Sequence, residues 1–334
     1  MKCDTEIMEA PQIKPPAKET LVALLTDILA DKGATKRPVT VVDRQPNIYA
    51  STFPSEIVVC RLADGSELKI FCKYGCATND SHDHKGNVAY EALVYRHVLE
   101  PLKISTPKFF GSAEGEADST WLVVEFLEGA ARLELWEDPG IVIDAARWIG
   151  RFHGLNEART IAVAGFKNYR ADYFYGWVKR TLQHADEARE NFPWLAKLCA
   201  HYEEMIPRLI AKASTVIHGE FYPNNILVRA GKIYPVDWES SAKSFGEIDL
   251  ATLTDGWGES IDWTPEIHRH CVLEYQRSRW PDGPPADFER TFLLARLYVQ
   301  FRWLGDSKEW ARQKNQMNGR FQELQRVGEQ LGIL

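Results

Sequence analysis

The feature that most restricts the possible folds of this chain is a polar loop between two short apolar runs. A Thr-Val-Ile run at 215–217 leads into His-Gly-Glu-Phe-Tyr-Pro-Asn-Asn at 218–225, and Ile-Leu-Val follows at 226–228. Short apolar runs on either side of a proline-containing polar stretch predict two strands joined by a loop. The next apolar run ends in a second carboxylate, Asp237, within Ile-Tyr-Pro-Val-Asp-Trp-Glu at 233–239.

The polar residues of this region form a donor set for a hard cation. A turn at Gly231 would bring Asn225 and Asp237 to one end of two neighbouring strands, with Glu220 in the adjoining loop. Carboxylate and amide oxygens suit Mg²⁺, which completes its shell with water and phosphate oxygens. The pattern therefore predicts phosphoryl transfer, with the metal spreading negative charge and one carboxylate near the attacking hydroxyl.

These motifs resemble the aminoglycoside phosphotransferase and choline kinase-like family, a branch of the protein-kinase-like fold. The family pattern is H-G-D-x-x-x-x-N, then a strand ending in D, then G-x-x-x-D-L-A. This chain has the loop at 218–225, Asp237, and Gly-Glu-Ile-Asp-Leu-Ala at 246–251. The resemblance implies that Asn225 and Asp237 are magnesium ligands and that Glu220 stands at the catalytic base position.

Two supporting roles follow from the same resemblance. Asp249 would steady the loop through backbone hydrogen bonds, and His218 would orient the loop rather than act as a base. Glu220 departs from the family's aspartate by one methylene, about 1.5 Å of extra reach. It remains an anionic acceptor at neutral pH. The chain is therefore either an active enzyme or a catalytically degenerate nucleotide-binding pseudokinase, and the retained metal and phosphate residues favour activity.

The resemblance also predicts a phosphate-binding pair near the N-terminus. Such folds use a third-strand lysine paired to a helix glutamate, and Lys73 and Glu91 stand at those positions, with Lys69 as the alternative lysine. Val-Val-Glu-Phe-Leu-Glu-Gly resembles the family's hinge, so backbone groups around Glu125 and Leu127 would meet the adenine edge.

The stretch between the first two predicted strands lacks the glycine that often marks a phosphate-covering loop. Ser51 and Thr52 lie there, and their hydroxyls and backbone N–H groups are candidates for binding phosphate. An ordinary polar hairpin turn is an equally good interpretation.

Periodicity predicts an α+β fold with a change of character near Gly129. An amphipathic helix at 19–32 is followed by strand patterns at 39–42, 56–62 and 68–73, a helix at 87–99, and two further strands. Mostly helical patterns follow, broken by the short strands around the polar loop. With the family resemblance, this predicts a bilobal protein-kinase-like fold with a small N-terminal β-sheet lobe and a larger, mainly helical C-terminal lobe.

We divide the chain accordingly. Residues 1–37 form a leader and an amphipathic helix, 38–128 the nucleotide-binding N-lobe, and 129–334 the C-lobe with the catalytic loop, metal site and acceptor pocket. An acidic segment at 254–263, which includes Asp255, is either a cation- or sugar-binding segment or a solvated loop, and the second is favoured.

Two histidine clusters do not match a metal-site spacing. They are Ser-His-Asp-His-Lys-Gly at 81–86 and His-Arg-His-Cys at 268–271, and we expect solvated loop or helix surface at both. The six cysteines are scattered, and reduced thiols are expected.

Composition excludes several classes of protein. A net charge of -7 without a basic stripe argues against nucleic acid as the main partner. The chain shows neither a signal-peptide pattern nor a long apolar span, so we expect a cytoplasmic protein without a membrane partner.

The sequence thus predicts an enzyme that uses ATP and Mg²⁺ to transfer the γ-phosphate to a hydroxyl of a small molecule resembling an aminoglycoside, a sugar or an amino alcohol. Direct in-line transfer is expected, because no side chain is placed as a covalent phosphate carrier. A different nucleotide transfer in the same pocket is the third and least favoured hypothesis.

Overall fold

The structure is a computed structural model that describes residues 15–33, 35, 38–49, 53–75, 82–115, 119–185, 190–212, 214–255, 264–306 and 314–334. The chain divides into two compact units. The N-terminal unit comprises Met1–Asn79, Gly86–Arg96 and Pro107–Glu128, and the C-terminal unit comprises Asp80–Lys85, His97–Thr106 and Gly129–Leu334.

The N-terminal unit is built on a five-stranded antiparallel sheet in the order β1-β2-β3-β5-β4. Its strands are β1 (Thr40–Pro46), β2 (Ser55–Arg61), β3 (Glu67–Gly75), β4 (Phe109–Glu114) and β5 (Thr120–Glu125). Two helices belong to it, α1 (Lys18–Asp31) and α2 (Val88–Val94). The predicted helix at 87–99 is α-helical only to Val94 and continues as a π-helical turn, Tyr95–Leu99.

Side-chain alternation along β3 separates the core of this unit from its functional face. Ile70, Cys72 and Tyr74 are buried in one cluster with apolar residues of α1. Since neighbouring side chains of a strand point to opposite faces, Lys69 and Lys73 project from the other face. The core residues that α1 contributes are Leu21, Leu25, Ile28 and Leu29.

The C-terminal unit is mainly helical. Its helices are α3 (Ile141–Glu157), α4 (Ala171–His184), α5 (Leu195–Ile210), α6 (Glu247–Asp255), α7 (Pro265–Arg279), α8 (Phe288–Asp306) and α9 (Lys314–Gln330). Helix α8 is buried along most of its length and packs against α4, α6 and α9. It therefore occupies the centre of this unit. No described helix is both long and apolar enough to cross a lipid bilayer.

Short strands position the polar loop in the C-terminal unit. Strand β7 (Thr215–Ile217) precedes the loop and pairs with β10 (Ala242–Ser244). The loop ends in β8 (Ile226–Arg229), which forms a hairpin with β9 (Lys232–Pro235) and pairs on its other side with β6 (Ala131–Arg132). The hairpin predicted around Gly231 is confirmed, with Gly231 at a φ of +70°.

Candidate active site

A buried aspartate fixes the start of the polar loop. Asp249, fully buried on α6, accepts the backbone N–H of His218 at 2.6 Å and that of Gly219 at 2.9 Å. His153 lies 3.1 Å from the same carboxylate and 3.0 Å from the Tyr275 hydroxyl. The hydrogen bonds predicted from Asp249 to the loop backbone are confirmed.

Gly219 is required by the loop's geometry. Its φ is +86°, and a Cβ placed there would lie 2.2 Å from the carbonyl oxygen of Ser240. Left-handed backbone and a close backbone approach both demand glycine. The loop can therefore pass directly over the turn that carries Ser240.

His218 orients the loop through both ring nitrogens. Its Nε2 lies 2.9 Å from the carbonyl oxygen of Val236 and donates to it. Its Nδ1 then accepts the backbone N–H of Glu220 at 3.3 Å. Because both nitrogens are engaged with backbone, His218 connects the polar loop to the end of β9 and is not available as a base.

Glu220 lies buried beside a cluster of nitrogen groups. The guanidinium of Arg302, from α8, donates through Nη2 to Glu220 Oε1, and Lys85 Nζ lies 3.7 Å from Oε2. Burial opposes the charge of this carboxylate, but the surrounding nitrogen groups together outweigh burial, Arg302 most strongly among them, and hold the pKa of Glu220 well below its usual range. Glu220 is therefore ionised, with Oε1 occupied and Oε2 without a hydrogen bond to any residue described.

His84 completes the environment of Glu220, and the solvated surface expected for 81–86 is wrong at this residue, although Asp83 is exposed. His84 is only 3% exposed. Arg302 Nε donates to His84 Nε2 at 2.7 Å, so the proton of the ring sits on Nδ1, which lies 2.7 Å from the Tyr173 hydroxyl. The 3.4 Å contact from His84 Nε2 to Glu220 therefore joins two acceptors and is not a hydrogen bond. Burial and the charge of Arg302 lower the pKa of His84 to about 4, which keeps the ring neutral.

The residues predicted to hold magnesium lie at the open end of the β8–β9 hairpin, Asn225 just before β8 and Asp237 just after β9. Asn225 donates Nδ2 to the Glu220 carbonyl oxygen at 3.0 Å, which leaves its Oδ1 as the free ligand-type atom of the amide group. Val236 N donates to the Asn225 carbonyl oxygen at 2.9 Å and so joins the two strand ends. Asp237 follows with a φ of +65°, an unusual left-handed conformation for a non-glycine residue.

A third carboxylate, which sequence reasoning missed, lies beside Asp237. Oxygen atoms of Asp237 and Glu239 are within 4.8 Å of each other. Glu239 is 1% exposed, and Lys85 Nζ lies 3.2 Å from its Oε1. Burial disfavours the Lys85 cation, but Glu220, Glu239 and Asp237 together raise its pKa. This part of the site thus combines hard oxygen donors with a fixed ammonium group.

The N-terminal unit contains the predicted lysine–glutamate pair. Lys73 Nζ donates to Glu91 Oε2 at 2.8 Å, with the side chains only 12% and 4% exposed. Lys73 also lies 5.4 Å from the ring centroid of Phe53. Lys69, the alternative, pairs instead with the exposed Glu128. The geometry thus favours Lys73 over Lys69 as the residue braced by the helix.

The hinge-like segment has one backbone donor left over. Glu125 N donates to the Lys108 carbonyl oxygen at 2.8 Å, and Phe126 N lies 3.4 Å from the Lys69 carbonyl oxygen. The N–H of Leu127, in contrast, has no acceptor among the residues described. An adenine edge needs a donor of this kind, so adenine binding by this segment stays a prediction. Ser51 and Thr52 lie outside the described residues.

Several other residues that were singled out in the sequence lie within helices or in the core. Asp255 is not solvated; it is buried on α6, where it pairs with Arg296 and lies 3.8 Å from His268. The remainder of the acidic segment, 256–263, lies outside the described residues. Cys271 is buried on α7 rather than on the helix surface expected there. Cys60, Cys72, Cys199 and Cys271 are not joined in disulfides, in agreement with the expectation of reduced thiols for these four.

Neither Arg302 nor Lys85 could be singled out from a clear sequence motif. Arg302 lies between two aromatic residues in a helix that is buried along most of its length, and a buried arginine needs a carboxylate partner. That rule could have singled out Arg302, although it would not have identified Glu220 as the partner.

Comparison with known proteins identifies the family. The model of the phosphotransferase enzyme family, abbreviated APH, matches residues 81–287, the stretch that contains the polar loop and its supporting aspartate. The chain belongs to this family. A search of curated proteins found no significant match in sequence.

Solved structures show the fold of this family member. A choline kinase from Cryptosporidium parvum Iowa II is 15% identical with a TM-score of 0.61, covering 95% of this chain and 98% of its own. An aminoglycoside phosphotransferase from Alicyclobacillus acidocaldarius subsp. acidocaldarius DSM 446 is also 15% identical, with a TM-score of 0.58 and coverage of 97% and 99%. An amicoumacin kinase in complex with AMP-PNP, Ca²⁺ and Ami is 14% identical, with a TM-score of 0.52 and coverage of 95% and 96%. The predicted α+β protein-kinase-like fold, with a small sheet lobe and a larger helical lobe, is confirmed.

Proposed function

We propose that this family member is an ATP- and Mg²⁺-dependent phosphotransferase that moves the γ-phosphate to a hydroxyl of a small molecule. The observation that carries the proposal is a loop held by Asp249, which carries Glu220 and Asn225 and is joined by the Val236 N–H to the strand end that precedes Asp237. The amicoumacin kinase of similar fold was solved with AMP-PNP and Ca²⁺, which supports a nucleotide with a divalent cation.

The donor chemistry fits magnesium. Asn225 Oδ1 and an Asp237 carboxylate oxygen would hold the ion, with Glu239 close enough to add a further oxygen or to bind its water. Bound there, Mg²⁺ would neutralise charge that develops on the transferring phosphoryl group.

We assign phosphate binding to the N-terminal unit. Lys73, held in place by Glu91, would bind the α- and β-phosphates, and backbone groups near Glu125 and Leu127 would bind adenine. Residues 38–128 would thus form the nucleotide-binding region, and 129–334 the region that binds the acceptor.

Glu220 would position the acceptor rather than act as a strong base. Its low pKa makes it a weak proton acceptor, but Oε2 offers a fixed anionic site to the acceptor hydroxyl. Phosphoryl transfer through a loose transition state needs positioning more than early deprotonation. The γ-phosphorus bond to ADP breaks, a bond to the hydroxyl oxygen forms, and the hydroxyl proton leaves through Glu220 to solvent.

The test is product formation from a panel of hydroxyl compounds with ATP and Mg²⁺, detected by mass, on wild type and on Asp237→Asn. Loss of a magnesium ligand should reduce turnover roughly 10²–10³-fold, since the metal supplies several kcal/mol of transition-state stabilisation. Nucleotide binding without any phosphorylated product would favour the pseudokinase instead.

A further inference from the structure

An aromatic and basic group of side chains lies next to Glu220 in the C-terminal unit. The guanidinium carbon of Arg320, from α9, lies 4.5 Å from the ring centroid of Trp303 on α8. The ring of Tyr222, two residues beyond Glu220, lies 5.5 Å from that of Trp303. We call Arg320, Trp303 and Tyr222 the Arg320 subsite. It adjoins Glu220 through Arg302, whose Nη1 donates to the Tyr222 hydroxyl at 2.7 Å.

Among the residues described, no carboxylate pairs with the positive charge of Arg320. Its one hydrogen bond among the residues described is from Nη1 to Gln300 Oε1, a neutral acceptor, at 3.1 Å, and it has no ion pair there. Asp306, which acts electrostatically on Tyr222, does not form one either. Burial and, to a smaller extent, the charge of Arg302 lower the pKa of Arg320 to about 10. Arg320 nevertheless stays cationic at neutral pH.

Arg320 is partly buried, whereas the three arginines that are buried among the described residues of this unit are all paired. Arg302 binds Glu220, Arg296 binds Asp255 and Glu323, and Arg279 binds Glu157 and Glu247. Removing a cation from water without an anion is costly, and proteins usually avoid it. Arg320 is therefore placed for a charge that the described chain does not supply.

We propose that Arg320 binds an anionic group, a carboxylate or a phosphate, on the acceptor whose hydroxyl is phosphorylated beside Glu220. This inference rests on the proposed phosphotransferase function. A guanidinium presents a planar fork of donors that matches carboxylate and phosphate oxygens. The ring of Trp303, which lies under the Arg320 guanidinium, holds that fork in place. The subsite thus selects against a purely cationic acceptor, which Arg320 would repel.

Three probes with one skeleton test the charge preference. They are meta-hydroxymethylbenzoate, its amide and meta-hydroxymethylbenzylamine, which carry the same hydroxyl and differ only in the charge opposite it. Calorimetric titration of the full chain should show the benzoate binding roughly 10–100-fold more tightly than the amide, the range of a charge-assisted hydrogen bond. Arg320→Gln should abolish this preference. Arg326→Gln, on the same helix but at a half-exposed arginine already paired with Glu323, should preserve it.

Thermal denaturation gives a second readout. Because no described carboxylate pairs with Arg320, Arg320→Gln should leave the melting temperature unchanged or raise it, whereas loss of a structural ion pair would lower it. Equal or tighter binding of the amide or amine by wild type, or an unchanged preference in Arg320→Gln, would overturn the anion subsite. If the preference holds but ATP and Mg²⁺ yield no phosphorylated benzoate, the subsite stands and phosphoryl transfer to such acceptors is what fails.

Discussion

The guanidinium of Arg302 is hydrogen-bonded to the carboxylate of Glu220, although 82 residues separate them along the chain. The same guanidinium donates from Nε to His84 and from Nη1 to Tyr222. Three donors of one fixed group therefore orient the polar loop, its carboxylate and the neighbouring histidine. A glutamate at position 220 reaches this guanidinium with its terminal oxygen.

Glu220→Asp should reduce activity. The shorter side chain withdraws the carboxylate by about 1.5 Å and weakens its bond to Arg302, so the acceptor hydroxyl loses its fixed partner. We expect kcat to fall roughly 10–100-fold, within the range of a positioned catalytic group, with little change in the KM for ATP. Steady-state kinetics measure both. Glu157→Asp, which shortens the partner of Arg279, is the control and should leave kcat unchanged. A Glu220→Asp enzyme as fast as wild type would contradict the assigned position of Glu220.

Lys73→Met should impair the use of ATP far more than Lys69→Met. The two lysines share one face of β3, but only Lys73 is paired with a buried glutamate. Loss of a charge-assisted contact to phosphate should lower kcat/KM for ATP roughly 10–100-fold. The pair of Lys69 with Glu128 is exposed, and its loss should change stability by less than about 1 kcal/mol. Equal effects of both substitutions on kcat/KM would remove Lys73 from the phosphate site.

Gly219→Ala should destabilise the protein by about 3 kcal/mol, because left-handed backbone strain adds to the overlap with the Ser240 carbonyl oxygen. Gly231→Ala is the matched control, with a similar positive φ but no atom within 4 Å of the new Cβ. It should cost only about 1 kcal/mol from strain. Urea denaturation measures both free energies of unfolding. Equal losses in the two variants would show that the close approach at Gly219 does not matter.

Acid should destabilise the folded protein through His84. Its folded-state pKa is about 4 against an ordinary value of 6.5, so between these values the unfolded chain binds a proton that the folded protein does not. The free energy of unfolding therefore falls as the pH falls through this window, by up to about 3 kcal/mol for this group. Above the window the contribution of His84 is fully present. His153 shifts in the same direction. The carboxylate of Glu220 extends the loss below its ordinary pKa of 4.5.

The measurement is urea denaturation from neutral pH down to pH 4. His84→Gln, which keeps an acceptor for Arg302 Nε, should flatten the slope in this window. His201→Gln, a change at a partly exposed histidine on α5, should leave it as in wild type. Parallel profiles for wild type and His84→Gln would mean that His84 does not carry the effect.

The sequence predicted those parts of the site whose residues are close together in the chain or follow a recognisable pattern. The loop at 218–225, the β8–β9 hairpin and the bonds from Asp249 belong to this group. So does the Lys73–Glu91 pair, which strand alternation and the family resemblance locate together.

The environment of Glu220 could not be predicted in this way. His84, Tyr173 and Arg302 come from three distant segments, and no local periodicity states which face of α8 meets the loop. The exposure of His84 was predicted wrongly, because a polar stretch normally indicates solvent exposure. Hydrogen-bond partners from distant helices stabilise its ring in the buried position. Tertiary contacts between such segments overrule the local pattern.

The packing of α1 sets a limit on how far the N-terminus can be trimmed. Leu21, Leu25 and Leu29 are fully buried beside Val41, Cys60 and Tyr74 of the sheet. A truncated chain that begins after Asp31 would expose the apolar face of the sheet to water and would favour aggregation. Shortened versions intended for crystallisation or tagging should therefore retain the chain from Lys18 onward.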